Sequence, residues 1–508
     1  MKKISSGWTL LLAVLLSITL TLPAFASETA QEPFVITMLN VYFSNEPPAK
    51  DHQIYKMIEE QTGATFDITW VPAAGYAEKI VLMLASNEMP MVVNGKGETR
   101  KPIMIEAQRA GLFWELSDEL LSEFPLSLSS LNEDINANLR VDGKLYVLQQ
   151  ERPLGRENII VRRDWLDALN LAEPNTLESL EACLYAFSEN DPDGNGKDDT
   201  YGLYLTEDYV QNLAEWLCIA YGGANGWAIS EDGEFIPDFN TSEYMQGLDT
   251  LRKWYADGVL NPDYVAMTAT QDVHDAFMAQ RSGIMLPLGL DDALKLTDLY
   301  NIAPDAVIDV IPYSYDVNGK PFVRATTGHN GGLLFTKSGI KDEDTLRRVL
   351  HVFDVINDVD GDIFQTMVWG IKDRHYTITE DGKILQTEEQ KQLRNIEINN
   401  FIQLRSNFDY WAFTGDNAVV SDLQAAIWNG WQENAAYAVS NPTNSFISET
   451  YIELGVDLDT IWKDAVNKYI MGEIDVDGYN AEIERWYSEG GADVASEYAE
   501  CYRIAQDA

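Results

Sequence analysis

The chain has 508 residues, which is too long for a single hydrophobic core and predicts two or three lobes. It carries 81 Asp and Glu residues against 36 Lys and Arg residues, a formal net charge of −45. Phosphate backbones and anionic lipids repel such a chain, so nucleic acid and membrane surfaces are poor partners, and we expect no nucleic-acid binding. Its three cysteines have no motif spacing, which excludes a scaffold built on disulfides.

Residues 1–26 are typical of a signal peptide. Lys2 and Lys3 precede an apolar run, and Ala24-Phe25-Ala26 provides a small-x-small cleavage site. The apolar run is shorter than the ~20 residues of a membrane-spanning helix, which argues against a membrane anchor. No cysteine near the cleavage site could accept a lipid. We therefore expect a secreted, extracellular protein that is associated with the cell surface by some means other than a lipobox cysteine.

The next stretch predicts a parallel α/β sheet. The β-branched and apolar run Phe34–Val41 indicates a buried strand, a helix ending at Gly63 follows, and residues 66–70 alternate as a second strand. Strand, helix and strand at this separation form a βαβ unit. A third short strand is predicted at Met91–Val93.

Loops that follow the carboxyl ends of parallel strands line the ligand crevice of open α/β sheets. Tyr42 and Phe43 follow the first predicted strand, and Glu98 lies in the polar loop after the third. These three residues are therefore candidates for a ligand cleft.

Further along, Gly143–Leu148 is predicted as a strand that crosses between lobes, and residues 158–162 as another strand. Thr176 caps a helix with an apolar face, and this helix leads directly into a polar loop. From about Glu389 onward the apolar spacing is mostly helical.

That polar loop, Asp191 to Thr200, has the spacing of an EF-hand calcium loop. Oxygen-bearing side chains occupy its first, third, fifth and ninth positions, and a glycine occupies the sixth. The alternative is a solvated turn, because the same residue types favour turns. The twelfth position, where an EF-hand has a bidentate Glu, is Gly202. We predict a structural calcium ion, with these ligands: the side chains of Asp191, Asp193, Asn195 and Asp199, and the carbonyl of Lys197.

The sequence shows no catalytic signature. The five histidines lack paired metal spacing, and neither a G-x-S-x-G elbow nor a phosphate-binding G-x-x-x-x-G-K-[ST] motif is present. Paired carboxylates cannot be chosen from sequence, because glycosidase acids are defined by their separation in space. We therefore expect a protein that is not an enzyme, with a secreted glycan-cleaving enzyme as the alternative.

Several tryptophans lie beside glycine or tyrosine and outside any helical stripe. They are Trp227 after Gly226, Trp369 before Gly370, and Trp411 after Tyr410. Indole faces stack on sugar rings, which favours a ligand-binding role for these tryptophans. A position in the hydrophobic core is about as common for each of them, so the binding and the core interpretations both stay open. With Tyr42, these residues form a candidate set in which at least two rings are expected to contact a ligand.

The run from Arg162 to Leu203 resembles a signature of family-1 extracellular solute-binding proteins, the binding subunits of ABC importers. The similar branch carries an EF-hand-like calcium loop and includes alginate-oligosaccharide binders and Gram-positive lipoproteins. Further matching segments follow in this sequence: residues 251–258, Asn261-Pro262-Asp263, Trp369-Gly370-Ile371 and Tyr469–Glu473. Thr200 stands where relatives often have an acidic ligand.

The resemblance implies a two-lobed α/β fold of the periplasmic-binding-protein type, with hinge strands and a helical C-terminal region. It assigns residues 33–148 and 329–365 to one lobe, and residues 149–328 and 366–508 to the other, which would carry the calcium loop away from the cleft. It also brings Asp291 to the cleft. We expect a monomer that binds a small carbohydrate and delivers it to the membrane subunits of an ABC importer. A peptide ligand on the same scaffold is the second alternative.

Overall fold

The computed structural model describes residues 34–44, 46–86, 88–267, 269–296, 298–407 and 418–507. Its strands are β1 (Phe34–Tyr42), β2 (Ala64–Pro72), β3 (Val92–Asn94), β4 (Val147–Glu151), β5 (Glu157–Arg162), β6 (Trp227–Ile229), β7 (Phe235–Pro237), β8 (Ile284–Gly289), β9 (Ile308–Ile311), β10 (Ser314–Tyr315), β11 (Pro321–Arg324), β12 (His329–Phe335), β13 (Thr377–Ile378), β14 (Ile384–Leu385) and β15 (Ala438–Val439).

The helices follow the same chain order. They are α1 (Gln53–Thr62), α2 (Tyr76–Ser86), α3 (Pro102–Arg109), α4 (Asp118–Ser122), α5 (Glu133–Leu139), α6 (Arg163–Ala168), α7 (Leu177–Glu189), α8 (Glu207–Ala220), α9 (Ser242–Ala256), α10 (Thr270–Met278), α11 (Leu299–Ile302), α12 (Glu343–Ile356), α13 (Asp362–Trp369), α14 (Glu388–Glu397), α15 (Asp422–Asn434), α16 (Glu449–Ile470), α17 (Val476–Trp486) and α18 (Ala492–Asp507). Within the described ranges, none of these helices is both long and apolar enough to cross a membrane.

The first sheet has the strand order β2-β1-β3-β12-β4. β1 runs parallel to β2 and β3, whereas β12 is antiparallel to β3 and β4. α1 connects β1 to β2 and ends at Gly63, which has the left-handed conformation that glycine adopts without strain. The predicted strand–helix–strand unit is therefore confirmed. The parallel arrangement brings Tyr42 and Asn94 to the same edge of the sheet, where the polar loops begin.

The first lobe is built on the core that covers this sheet. β1 contributes Ile36, and α12 contributes Leu346, Val349 and Phe353 from one helical face. Three residues from much later in the chain also pack into this core: Ile398, Phe401 and Leu404. The division based on sequence assigned residues 366–508 to the second lobe, whereas the first core extends to Leu404.

The second lobe is built around the antiparallel sheet β8-β5-β9. Ile159 and Val161 face one core, formed mainly with α7, α8, α9, α16 and α17, while Ile160 between them faces another core formed with α10 and α15. β5 is thus buried on both faces, which explains its continuous apolar run. A small sheet, β10-β11-β15, lies beside it.

Two described stretches of the chain connect the lobes: residues 152–156 lead from β4 to β5, and residues 325–328 lead back from β11 to β12. Further along the chain, Leu404 packs in the first core and α15 packs in the second lobe. The mixed α/β architecture with hinge connections agrees with the predicted fold class.

Candidate functional site

A cavity of about 330 Å³ lies between the two lobes. We call it the interlobe cavity. Its walls come from five places: the loop after β3 with the start of α3, α5, the connection that enters β12, the second-lobe segment that leads into and begins α16, and α18. The lining residues used below are Thr99, Arg100, Ile105, Thr327, His329, Phe446, Tyr451, Ile452 and Tyr498.

The loop after β3 is fixed by the buried side chain of Asn94. Its Nδ2 donates to the side-chain oxygen of Asn40 at 2.9 Å, and its Oδ1 accepts from the backbone N–H of Lys96 at 3.0 Å. Gly95 lies against Leu334, and a Cβ atom at this position would be 2.6 Å from its Cδ1. These contacts fix the loop against β12, and Arg100 at the end of the loop lines the cavity.

Arg100 contacts both lobes. Its Nη1 donates to the carbonyl of Arg140 at 2.7 Å, and its Nη2 donates to the carbonyl of Phe446 in the second lobe at 2.8 Å. Arg100 forms no ion pair within the described part of the chain, and burial lowers its pKa. Among the described residues, no Asp or Glu lines the cavity. In a chain with a net charge of −45, this cavity wall presents a cation without a carboxylate partner.

His329, the first residue of β12, adds a hydrogen-bond donor. Its Nδ1 accepts from the backbone N–H of Gly331 at 3.1 Å, so in the neutral ring the proton resides on Nε2. Burial, followed by the charge of Arg100, lowers the pKa of His329 to about 4. Nε2 is buried and has no hydrogen-bond partner among the residues that the structure describes. Neutral His329 therefore holds an unsatisfied N–H in the wall of the cavity.

The remaining wall is largely apolar and aromatic. Ile105 comes from the first lobe, and Phe446, Tyr451 and Tyr498 come from the second. The hydroxyl of Tyr451 donates to Asp459 at 3.1 Å, which fixes the ring. Ring faces beside hydrogen-bond donors are the surface that a sugar requires, because a pyranose has apolar C–H faces and a rim of hydroxyls.

Trp227 lies one layer behind this wall. Its ring packs edge-on against Tyr498, with centroids 5.1 Å apart, and also contacts Trp486 and Phe235. Trp227 supports a lining ring without lining the cavity itself.

Tyr42 and Glu98 are not among the described residues that line the cavity. Tyr42 ends β1, and Glu98 stands between the lining residues Gly97 and Thr99. Beside Tyr42, the Nζ of Lys96 lies 3.5 Å from the ring centroid of Phe43. Burial, with the charges of Arg152 and Lys295, lowers the pKa of Lys96 to about 8. The edge of the first sheet is therefore positively charged beyond the cavity as well.

The other predicted ligand-binding residues lie elsewhere. Asp291 forms an ion pair with Arg156, with 2.9 Å between Nε and Oδ1. Although burial opposes it, the charge of Arg156 lowers the pKa of Asp291. Trp369 is 5% exposed and packs in a small cluster with Phe364 and Val368. Trp411 lies outside the described residues.

The loop predicted to bind calcium, Asp191 to Thr200, has its oxygen-bearing side chains turned inward around Asn195. The Nδ2 of Asn195 donates to Asp193 at 2.7 Å and to Asp199 at 3.0 Å, while its Oδ1 accepts from the backbone N–H of Lys197 at 2.7 Å. Asp191 accepts from the backbone N–H groups of Asn195 and Gly196. Burial, with the neighbouring Asp191 carboxylate, raises the pKa of Asp193.

Carboxylate, amide and carbonyl oxygens are the donors that calcium prefers, so the chemistry of the loop fits this ion. The residues are not gathered into a metal site, however: across the described ranges, no group of three or more His, Cys, Asp or Glu side chains could hold a metal ion. The amide of Asn195 stands between two of the carboxylates instead.

No protein-family model matches the chain. The polygalacturonan/rhamnogalacturonan-binding protein YtcQ of Bacillus subtilis (strain 168) is 34% identical over 472 residues, covering 93% of this chain and 92% of YtcQ. Lipoprotein LipO of the same strain is 31% identical over 482 residues, covering 93% of each chain. The chain belongs to the extracellular solute-binding proteins of ABC importers.

A solved structure supports the fold. The EF-hand mutant of the ABC-transporter substrate-binding protein FusA of S. pneumoniae, in complex with fructo-nystose, superimposes with a TM-score of 0.66 at 16% identity. The alignment covers 93% of this chain and 99% of FusA. The family resemblance read from residues 162–203 is confirmed.

Sequence reasoning missed the residues that line the cavity. Arg100 follows the same strand end that made Glu98 a candidate, so the sequence signalled this loop, and Glu98 stays a prediction. His329 lies in the glycine-rich segment Gly328–Gly332, where the residue pattern alone did not indicate a ligand-binding role. Phe446, Tyr451 and Tyr498 carried no signal, because helical and loop aromatics in sequence do not reveal which surface they face.

Proposed function

We propose that this protein binds an acidic oligosaccharide in the interlobe cavity, with a sugar carboxylate facing Arg100. The observation that carries the proposal is the partly buried guanidinium of Arg100, which has carbonyl partners but no ion pair among the described residues, in a cavity that no described Asp or Glu lines. A cation that is partly withdrawn from water without an ion-pair partner is costly, and an anionic ligand would offset that cost.

Aromatic and polar groups in the same wall favour a sugar as the carrier of that carboxylate. Tyr498 and Tyr451 add aromatic rings to the lining, and the Nε2–H of His329 is available to a sugar oxygen. The relative YtcQ is a polygalacturonan/rhamnogalacturonan-binding protein, and galacturonate carries one carboxylate per residue. We infer a galacturonate-type oligosaccharide as the ligand class, in preference to neutral sugars.

The test compares Arg100→Gln with wild type by calorimetry, using galacturonate trisaccharide and a neutral trisaccharide. A hydrogen bond to a charged group contributes about 1.5–3 kcal/mol, so galacturonate binding should weaken by roughly 10- to 150-fold. Arg348→Gln is the matched control, since Arg348 belongs to the same lobe and packs on Phe34 outside the cavity. Equal losses for both sugars, or no loss, would contradict the role of Arg100.

We also infer that the loop from Asp191 to Asp199 binds a structural calcium ion. Three carboxylates in one short loop repel each other unless a cation lies among them. FusA, whose fold this chain shares, has an EF-hand. Calcium would be held by Asp191, Asp193, Asn195 and Asp199 with the Lys197 carbonyl, and would tie the loop to the end of α7.

Finally, we infer that residues 1–26 direct secretion, and that the secreted protein delivers its sugar as a monomer to the membrane subunits of an ABC importer. The first lobe would comprise residues 34–151 and 329–404, and the second lobe the remaining described residues. These boundaries follow the packing of Ile398, Phe401 and Leu404. Tyr42, Glu98, Asp291, Trp227, Trp369 and Trp411 remain predicted ligand-binding residues.

A further inference from the structure

Arg109, the last residue of α3, donates hydrogen bonds from both edges of its guanidinium to two carboxylates, those of Asp142 and Glu449. Its Nε and Nη2 donate to Asp142 at 2.9 and 3.0 Å. Its Nη1 and Nη2 donate to Glu449 at 2.7 and 2.5 Å. A planar fork that engages two carboxylates in this way is held in a single orientation.

These three residues do not belong to the same lobe. α3 packs on the first core through Met104 and Ala107, and Asp142 lies in the turn closed by Val141 and Lys144 of the same lobe. Glu449 is the first residue of α16, which packs on the second core through Leu458 and Ile461. Asp142 therefore orients the guanidinium from its own lobe, and Glu449 receives it from the other lobe.

The ion pair lies at the rim of the interlobe cavity. Ile105, one helical turn before Arg109, lines the cavity, and so does Tyr451, two residues after Glu449. Arg109 and Glu449 do not line it, and their side chains are 27% and 64% exposed. Thr327 and His329, where the chain crosses between the lobes, form a different part of the wall.

We propose that Arg109 and Glu449 form a latch that holds the two lobes closed over the interlobe cavity and slows the escape of the bound ligand. The lobes are joined by connecting segments near His329, so a contact between α3 and α16 restrains their separation. The ligand-release part of this proposal rests on the proposed sugar-binding function, whereas the closure part does not.

Because the ion pair is partly exposed, its effect on the equilibrium between closed and open lobes should be moderate and sensitive to salt. Exposed ion pairs contribute enough free energy to change such an equilibrium constant by about 1.4- to 5-fold. The effect should be full at about 0.01 M salt, where the Debye length is roughly 30 Å, and largely lost at about 1 M, where it is roughly 3 Å.

The experiment measures the radius of gyration of the ligand-free, full-length secreted chain by small-angle X-ray scattering at these two salt concentrations. Glu449→Lys should raise the radius of gyration at low salt by placing a second cation beside Arg109, and Glu449→Gln should raise it less. Glu453→Lys is the matched control, because it makes the same charge change one turn further along α16, where residue 453 is exposed. Circular dichroism confirms that each variant is folded.

A second measurement follows the dissociation rate of galacturonate trisaccharide. Release should be about two- to fivefold faster from Glu449→Lys than from Glu453→Lys at low salt. If Glu449→Lys and Glu453→Lys have the same radius of gyration at low salt, the latch is refuted even if the sugar binds. If Glu449→Lys alone opens the lobes but no variant binds the sugar, the latch stands and the proposed ligand fails.

Discussion

Gly202 packs directly on the carbonyl oxygen of Leu184: a Cβ atom at residue 202 would lie 2.6 Å from that oxygen. Residue 202 is the twelfth position of the predicted calcium loop, where an EF-hand has its bidentate Glu. The close approach to α7 leaves no room for that side chain. The glycine at this position therefore allows the segment after the loop to pack against α7, and no Glu side chain is present there to bind calcium.

Gly202→Ala should therefore destabilise the protein. The added methyl group would overlap Leu184 and the Cγ1 of Val259, also 2.6 Å away, at a cost of about 1–3 kcal/mol. Gly75→Ala is the matched control, because a Cβ atom there meets nothing within 4 Å and the backbone φ is not positive. Urea denaturation of the two variants measures the difference. Equal stability of both would show that the backbone at residue 202 relaxes freely.

Removal of calcium should lower the melting temperature of the wild type. An ion present at 100 times its Kd contributes about 2.7 kcal/mol to the free energy of unfolding. Asp193→Ala should show the same loss and should no longer respond to chelator, whereas Asp198→Ala, which changes a residue outside the predicted ligand set, should respond like wild type. Thermal melts with and without chelator provide the measurement. An unchanged wild-type midpoint would mean that the loop is a polar turn and not a calcium site.

His329 should make stability depend on pH in a defined window. Burial, with the charge of Arg100, lowers its pKa in the folded protein to about 4, below the ordinary value of about 6.5. Between these values the unfolded chain binds more protons, so the free energy of unfolding rises with pH and reaches its full value above about pH 6.5. On acidification from pH 7 to pH 4.5, His329 should account for a loss of roughly 2–3 kcal/mol.

The check is chemical denaturation of the wild type and His329→Gln at both pH values. Gln cannot gain a proton, so the variant should lose less stability than the wild type. His351→Gln, which changes an exposed residue of α12, should keep the wild-type pH dependence. The same pH dependence in all three proteins would rule out His329 as its source.

The fold could be read from sequence where a local pattern decides it. Phe34–Val41 is apolar on both faces, and a helix with a glycine cap separates it from the next strand, which together favour a parallel pair. The lobe boundary at the end of the chain could not be read in this way. Apolar periodicity shows that Ile398, Phe401 and Leu404 are buried, but it does not show which core receives them.

The site was harder to predict because its contacts are distant in sequence. Arg100 and Phe446 are separated by 346 positions, and only the folded chain brings them together. Trp369 illustrates a second difficulty. Its glycine neighbour left both a cleft position and a core position open, and only the folded chain shows that Trp369 packs with Phe364 and Val368 in a small cluster. The residues that flank a side chain in sequence indicate its backbone conformation, but they do not indicate which distant residues it contacts.

The central claim is that the interlobe cavity binds an acidic sugar, and calorimetry on the wild type tests it most directly. Three ligands are compared: galacturonate trisaccharide, its neutral methyl ester, and an acidic tripeptide. A parallel incubation is assayed for new reducing ends, because cleavage would indicate an enzyme. We predict binding of the galacturonate trisaccharide at least about tenfold tighter than the ester, since a hydrogen bond to a charged group contributes about 1.5–3 kcal/mol, with no cleavage. Equal or weaker binding of the acidic sugar, preference for the peptide, or release of reducing ends would contradict the account.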